Sequence, residues 1–403
     1  MAPGHPLRIA YVLLRDPSYS ETFIGSEIEA VRAAGATVEV FVARQGGREA
    51  EVRQAAGRLL RQPLRFREDV RVLGTSYLPR AVLAAGHADR LAGPVGDFRP
   101  DVVHTHFVNL PTAVAALVGR RIGVPTTAMA HAADFLLDPN GAALNRRLQL
   151  LRHLFVISQA TAAQLTERGA NLSTVDHSVV RAAFDGEIVE PRPPRGAAEV
   201  TRLVSVARLV EKKGIDTAID AVARLVRDGL DVRYDVYGDG PLRTALGQRV
   251  DAAGLTGVVV LHGAVSHQEA TRALVDADVA VLPCRPAADG DLDGIPVFLM
   301  EAAGRGVPVA TTAVSGIPEL VGPADGWQVP PDDPGALAEA LAQLIRDPPE
   351  RWRRAVNLGA RLRAEFSPAL QAQRLLSAWG PLAGHAADVP PGTSFGEAVA
   401  WTT

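Results

Sequence analysis

The chain has 403 residues, with 42 Lys and Arg against 45 Asp and Glu, a formal charge of −3. Hydrophobic residues make up 47% and charged residues 22%, which excludes a disordered chain, and at roughly 150 residues per domain the length suits two or three domains. The near-neutral charge excludes a general nucleic-acid binder, and the single cysteine, Cys284, excludes an intrachain disulfide or a cysteine-built zinc site and fits a reducing cytoplasm.

Residues 7–14 (LRIAYVLL) read as a buried strand. Arg8 and Arg15 bracket an apolar run too short for a secretory signal. No stretch approaches the ~18 apolar residues of a membrane span, and no strongly basic amphipathic helix calls for more than peripheral membrane contact. Residues 21–35 place Phe23, Ile24, Ile28 and Val31 on one helical face and end at Gly35, a C-cap. Further strands are expected at 37–43, 101–104, 125–130, 155–158 and 175–180, with helices between them. Continuous apolar strands separated by helices imply a parallel sheet covered on both faces.

Residues 186–200 are rich in proline and charge. Pro191, Pro193 and Pro194 suit neither a helix interior nor a central strand, so this is a linker. The rhythm then restarts, with strands near 202–207, 232–238, 258–262, 278–283 and 308–312. Helices at 349–365 and 368–379 follow, then a tail rich in Gly, Pro and Ala after Pro381. The chain therefore reads as two α/β domains of similar size. In open α/β sheets ligands sit outside the carboxyl ends of the strands.

The second half carries the densest chemistry. In SVARLVEKKG (205–214), Arg208 leaves a strand end and Lys213 precedes a helix, two cations suited to a diphosphate. In YGDGPLR (237–243), Gly238 and Gly240 permit close backbone approach, and Arg243 stands where a dinucleotide fingerprint needs its third glycine. The run DGDLDG (289–294) invites a calcium-loop reading. It fails on register, because Met300 occupies the twelfth position and Glu301 comes one residue late. A loop followed by a helix from about Pro296 fits better, with free amides aimed at an anion. Glu301 could accept both hydroxyls of a vicinal diol such as a ribose, and Asp293 those of a sugar. In the first half, His104 and His106 share a strand face, but no third ligand for a zinc ion stands nearby in the sequence. His131 and Asp134 follow another strand directly, where a histidine can bond a sugar hydroxyl or a phosphate.

Together, RLVEKKGID (208–216), GDGPLR (238–243) and GIPVFLMEAAGRGVPVATTAVSGIPELV (294–321) resemble the nucleotide-sugar half of glycosyltransferase family 4. SETFIGSEIEAVRAAG (20–35), VHTHF (103–107) and AHAADF (130–135) are similar to its colanic-acid-type polysaccharide branch. The resemblance runs from about residue 7 to 380. It implies the GT-B architecture, in which two Rossmann-like, doubly wound parallel-sheet domains face each other across a cleft. The expected division is an acceptor domain over 1–188, a donor domain over 189–365, a helix over 366–380 packing back on the first domain, and a tail over 381–403.

The same resemblance implies roles. Arg208 and Lys213 would bind the donor diphosphate, Glu301 the ribose, and Asp293 and His131 the donor sugar, His131 also reaching phosphate. Gly238, Gly240, Gly294, Ile295, Pro296, Val297, Phe298 and Leu299 would line the donor site, the last four through backbone amides. Ser20, Thr22, His106 and Asp134 are weaker candidates for acceptor or phosphate contact. The implied reaction is a retaining transfer from a nucleoside-diphosphate sugar, uridine by default, without metal or cofactor, to a glycan, lipid-linked glycan or small-molecule hydroxyl.

Two departures matter. The acidic motif reads D-x7-E rather than E-x7-E, and Asp293 is shorter by one methylene, roughly 1.3 Å. That implies a donor with a different hydroxyl pattern, or a slow enzyme. The stretch HSVVRAAF (177–184), where many relatives carry a glycine, has none. Two other readings are a degenerate scaffold that binds without turnover and a nicotinamide oxidoreductase. The retained Arg208, Lys213, Glu301 and His131 weigh against the first, and the missing third glycine against the second.

Overall fold

Buried Val, Ile, Leu and Ala carry inner strands such as Arg8–Leu13 and Val279–Leu282, and the amphipathic stretches between strands make the covering helices. The computed structural model describes residues 5–16, 22–44, 57, 63–74, 78–136, 141–192 and 200–383. Strands β1 (Arg8–Leu13), β2 (Thr37–Val42), β3 (Val102–His106), β4 (Thr126–Ala130), β5 (His153–Val156) and β6 (His177–Val179) form a first sheet in the order β2-β1-β3-β4-β5-β6. Strands β7 (Thr201–Val206), β8 (Val232–Tyr237), β9 (Val259–Gly263), β10 (Val279–Leu282), β11 (Val309–Thr312) and β12 (Trp327–Val329) form a second, in the order β12-β11-β10-β7-β8-β9. Every pairing between named strands is parallel. Both sheets are therefore doubly wound. The strand order reverses between β1 and β3 in the first and between β7 and β10 in the second, the places where such sheets bind ligands.

Each sheet carries its own core. In the second, the helix Ile215–Arg227 turns Ile215, Ala218, Ile219, Val222 and Leu225 inward, spacings of three and four that make one apolar face. In the first, the helix Leu110–Ile122 is buried from Pro111 to Gly119. It ends on Gly123, whose φ of 71° suits the left-handed turn that stops a helix. No helix among the described residues is long and apolar enough to cross a membrane.

The chain forms two compact units. The first takes the chain up to Val156, Leu165–Val180 and everything from Gln371 on; the second takes Ile157–Gln164 and Arg181–Leu370. The second unit thus begins at Arg181, ahead of the 188/189 division drawn from the prolines. Hydrogen bonds account for the difference: Arg181 Nη2 lies 3.0 Å from Glu319 Oε2. The Phe184 and Val189 amides donate to the carbonyls of Phe366 and Gly304, each at 2.8 Å. Segment 157–164 joins the same unit because the Ala160 amide donates to Glu319 Oε1 at 3.1 Å and Gln164 Nε2 to Ser315 Oγ at 3.1 Å. The last helix, Pro368–Ala383, returns to the first unit from Gln371 and runs past Pro381. Residues 384–403 of the expected tail lie outside the described residues.

Candidate active site

In the second unit the exits of β7 and β10, neighbours at the strand-order reversal, carry the charged residues. After β7 the chain runs through Arg208, whose side chain is exposed and makes no recorded polar contact with the described residues. It then makes a single 3-10 turn, Glu211–Lys213, capped by Gly214 at φ 64°. A Cβ on Gly214 would lie 1.9 Å from the Pro283 carbonyl oxygen, so only glycine lets this turn press against the β10 exit. That close approach delivers Lys212 and Lys213 to the loop after β10. Lys213 Nζ lies 2.7 Å from Asp293 Oδ2, and Lys212 Nζ lies 3.3 Å from Asp293 Oδ1 and 2.9 Å from Asp291 Oδ2. Burial works against the Lys212 charge, but Asp293 and Asp291 outweigh it and hold its pKa above the usual lysine value. Cys284 Sγ approaches Asp293 at 3.6 Å, and burial, with that carboxylate, pushes the thiol up, so it is no nucleophile.

Gly238 and Gly240 do make a close approach, but to protein backbone. A Cβ on Gly238, at φ 129°, would sit 1.9 Å from the Ala207 carbonyl oxygen, and one on Gly240 2.5 Å from that of Leu209. The Leu209 amide donates to Asp239 and the Leu242 amide to Leu209. The two glycines therefore clamp residues 207–209, the stretch that presents Arg208.

Asp293 has two lysines and a thiol as its partners. Next to it, Gly294 meets Ile157, whose Cδ1 a Cβ would reach at 2.9 Å. Ile295 is half-buried and Pro296 caps the helix Val297–Gly304. Phe298 and Leu299 put their side chains into the core, while Val297 is exposed. Of the four amides expected at an anion, Pro296 has none and that of Leu299 donates to the Pro296 carbonyl at 3.0 Å. The amides of Val297 and Phe298 have no partner among the described residues. Glu301 lies one turn on, with Oε1 4.0 Å from His267 Nδ1; burial raises its pKa, against a smaller pull from His267 and Arg305.

In the first unit the site sits at the carboxyl ends of β3 and β4. His131, directly after β4, is buried between Phe23 and Phe107, at ring-centre distances of 4.9 and 4.8 Å. Phe107 adopts φ 71°, a strained conformation for a bulky residue, held by its amide's bond to Met129 and by Thr112 Oγ1 on its carbonyl. Asp134 is no surface contact. Its carboxylate faces inward and accepts the amides of Val108, at 2.6 Å, and His131, at 3.1 and 3.2 Å. Burial raises its pKa to about 7, although those amides and Arg147 pull the other way. His106 is likewise fully buried, so the expectation of an acceptor contact gives way to an internal role. Ser20 lies outside the described residues; Thr22 opens the helix Thr22–Ala33.

Sequence reasoning missed Glu27. This buried residue of the helix Thr22–Ala33 accepts Tyr11 Oη at 2.9 Å and His106 Nε2 at 3.1 Å on Oε1, and Gln371 Nε2 at 3.0 Å on Oε2. His106 Nδ1 in turn lies 3.1 Å from His131 Nε2. His104 Nε2 is 3.7 Å from Glu27 Oε1 without a hydrogen bond, and its Nδ1 meets Thr127 Oγ1 at 2.8 Å, an oxygen that also accepts Trp379 Nε1. Burial lowers the pKa of His104 and of His131 well below the usual histidine value, the neighbouring histidines adding to it. Contrary to the expectation from the sequence, the fold does bring a third potential ligand to His104 and His106. Glu27 brings a carboxylate oxygen within 4.8 Å of a nitrogen of each. The signal lay in the helix period, since Glu27 sits three residues after Ile24 and four before Val31, on the apolar face.

Comparison with known proteins concurs with this geometry. Residues 20–181 match the family described as Glycosyltransferase Family 4, and residues 200–347 that described as Glycosyl transferases group 1. The chain is 32% identical over 372 residues to the putative colanic acid biosynthesis glycosyltransferase WcaL of Escherichia coli, covering 83% of this chain and 90% of that one. It is 43% identical over 144 residues to the amylovoran biosynthesis glycosyltransferase AmsK of Erwinia amylovora, 36% of this chain and 35% of that one. Among solved structures, HepE of Anabaena in complex with UDP superposes with a TM-score of 0.69 at 16% identity, over 93% of this chain and all of that one. Sucrose-phosphate synthase of Thermosynechococcus elongatus gives 0.71 at 17% identity, over 93% and 99%.

Proposed function

This chain belongs to glycosyltransferase family 4, with the GT-B fold, and on that premise we propose that it moves a hexose-type sugar, with retention, from a nucleoside-diphosphate sugar to a hydroxyl of a growing polysaccharide or its lipid-linked precursor. The observation that carries the reading is the cationic turn at the strand-order reversal of the second sheet. Arg208, Lys212 and Lys213 stand there, and the helix of the neighbouring strand's loop offers the unbonded amides of Val297 and Phe298. Breaking a glycosyl–phosphate bond builds negative charge on the leaving diphosphate. Fixed cations and amides stabilise that charge in the transition state without a metal ion. Glu301, one turn further along the helix, would accept two ribose hydroxyls.

UDP is the nucleotide favoured by this reading, because HepE, which shares the fold, binds UDP and UDP-glucose. The acceptor class follows WcaL and AmsK, named for the biosynthesis of colanic acid and of amylovoran. A cytoplasmic site of action accords with the lone, buried Cys284.

Calorimetric titration with UDP, GDP and dTDP in EDTA tests the donor site. One nucleotide is expected to bind, and Arg208→Ala or Lys213→Ala to weaken it by roughly 10- to 100-fold, since each removes a charge-assisted contact of about 1.5–3 kcal/mol. Binding that needs a divalent cation would sink metal independence. No binding of any nucleotide would favour a scaffold that has lost turnover.

A further inference from the structure

The buried polar chain behind His131 has a direction, and the direction decides what His131 can bind. Its anchor is Glu27, whose carboxylate can only accept when ionised. Three donors converge on it: the Tyr11 hydroxyl and His106 Nε2 on one oxygen, the Gln371 amide on the other. His106 therefore spends its Nε2 proton on Glu27. A neutral imidazole has one N–H, so His106 Nδ1 is left as a bare acceptor. The atom facing it is His131 Nε2, at 3.1 Å. The ring centres are 5.3 Å apart and the planes 30° from parallel. That separation is close to the nitrogen–nitrogen distance plus the two centre-to-nitrogen radii, so the contact lies in line, as a hydrogen bond requires.

We propose that Glu27, acting through His106, holds His131 as the tautomer protonated on Nε2 and bare on Nδ1, so that His131 accepts a hydrogen bond from a sugar hydroxyl and cannot donate one to phosphate. Glu27 and His106 are positioning residues. The proposal rests on the glycosyl-transfer reading only in naming a sugar as the partner. It narrows the two ligands open to a histidine at a strand end. A hydroxyl can donate to a bare nitrogen, whereas a fully ionised phosphate offers only acceptors and would face a lone pair. The remaining contacts keep the direction fixed. Thr127 Oγ1 accepts Trp379 Nε1, at 3.1 Å, and can give its own proton to His104 Nδ1, at 2.8 Å. That leaves His104 Nε2–H turned toward Glu27 Oε1, 3.7 Å away.

The test is nitrogen NMR of the full chain labelled at histidine, which reads protonation at each ring nitrogen and needs no substrate. The expected wild-type spectrum has His131 with an N–H at Nε2 and a bare Nδ1, this tautomer favoured by about tenfold or more. In Glu27→Gln the anchor keeps its shape and loses its charge, and the preference should fall to within about threefold. A His131 protonated at Nδ1 in the wild type overturns the proposal, because His106 Nδ1 would then be the donor and the chain would run the other way. An unchanged preference in Glu27→Gln overturns the role of Glu27. Titration with zinc chloride is the third arm. Uptake of one zinc per chain, lost in His104→Ala, would make Glu27 a ligand and also overturn the proposal. UDP calorimetry on the same samples separates the two readings. Wild type that binds no nucleotide counts against glycosyl transfer while the tautomer result stands. Equal UDP affinity in wild type and Glu27→Gln, with the tautomer lost, supports the relay.

Discussion

Asp293 is the residue on which donor binding and sugar transfer should part. Its carboxylate sits against Lys213 and Lys212, cations of the proposed diphosphate site, where an arriving donor would compete with it. Asp293→Asn frees both lysines and is expected to tighten UDP binding by roughly 1.5- to 5-fold, the scale of a partly exposed ion pair. On the proposed reading that this carboxylate bonds the sugar, the same change should slow transfer. Asp293→Glu restores the family's longer side chain and should shift donor preference. Calorimetry and a donor screen check all three effects, and a Glu variant with unchanged rate and preference would remove Asp293 from sugar selection.

At the scale of elements, the turn from β4 into the helix Ala132–Leu136 couples the site to pH. The Asp134 pKa rises from 3.8 to about 7 in the folded protein, chiefly through burial. Between those values the folded state holds a proton that the unfolded state has lost, so this group stabilises fully below about pH 4 and its contribution disappears as pH climbs through about 7. His104 and His131 act in the opposite sense. Kept neutral by burial, they cost stability as pH falls through the unfolded value of 6.5. Comparing wild type with Asp134→Asn cancels the histidines. The stability difference by urea denaturation should decline from pH 4 to pH 7, by at most about 4 kcal/mol. A flat difference would mean Asp134 is ionised throughout.

Elements also show what could be read from the chain. Strands such as β1 and β10 were legible because both faces are apolar, and the turn before Gly214 because Arg208 and Lys213 put two cations between a strand and a helix. Strand β12 was not, since Trp327–Val329 is three residues at a sheet edge and carries no period. The roles of Gly238 and Gly240 were legible only as close approach; what they approach, residues 207–209, is a matter of packing. Glu27 marked itself by standing on an apolar helix face. Its partners, residues 104, 106 and 371, are brought to it by the fold, and no spacing along the chain reveals them.

For the whole molecule, the last helix matters most. Trp379 is fully buried in the first unit, edge-on to Tyr11, His104 and Phe155, and its indole N–H reaches Thr127. Trp379→Ala should cost about 3–5 kcal/mol of first-unit stability, as other buried Trp truncations do. Far-UV circular dichroism during urea unfolding, with the fluorescence of Trp327 and Trp352 reporting the second unit and UDP affinity as the control, checks that the loss is confined to the first unit.

That same helix sets a timetable for biosynthesis. Gln371 bonds Glu27 across 344 residues of sequence. The ribosome adds about 5–20 residues each second, so the nascent first unit waits tens of seconds with its central cavity unfilled. Throughout that time Glu27 and the histidines lack part of their cover. The first unit to emerge is thus the last to be finished, and its exposed seam is where a chaperone would be needed.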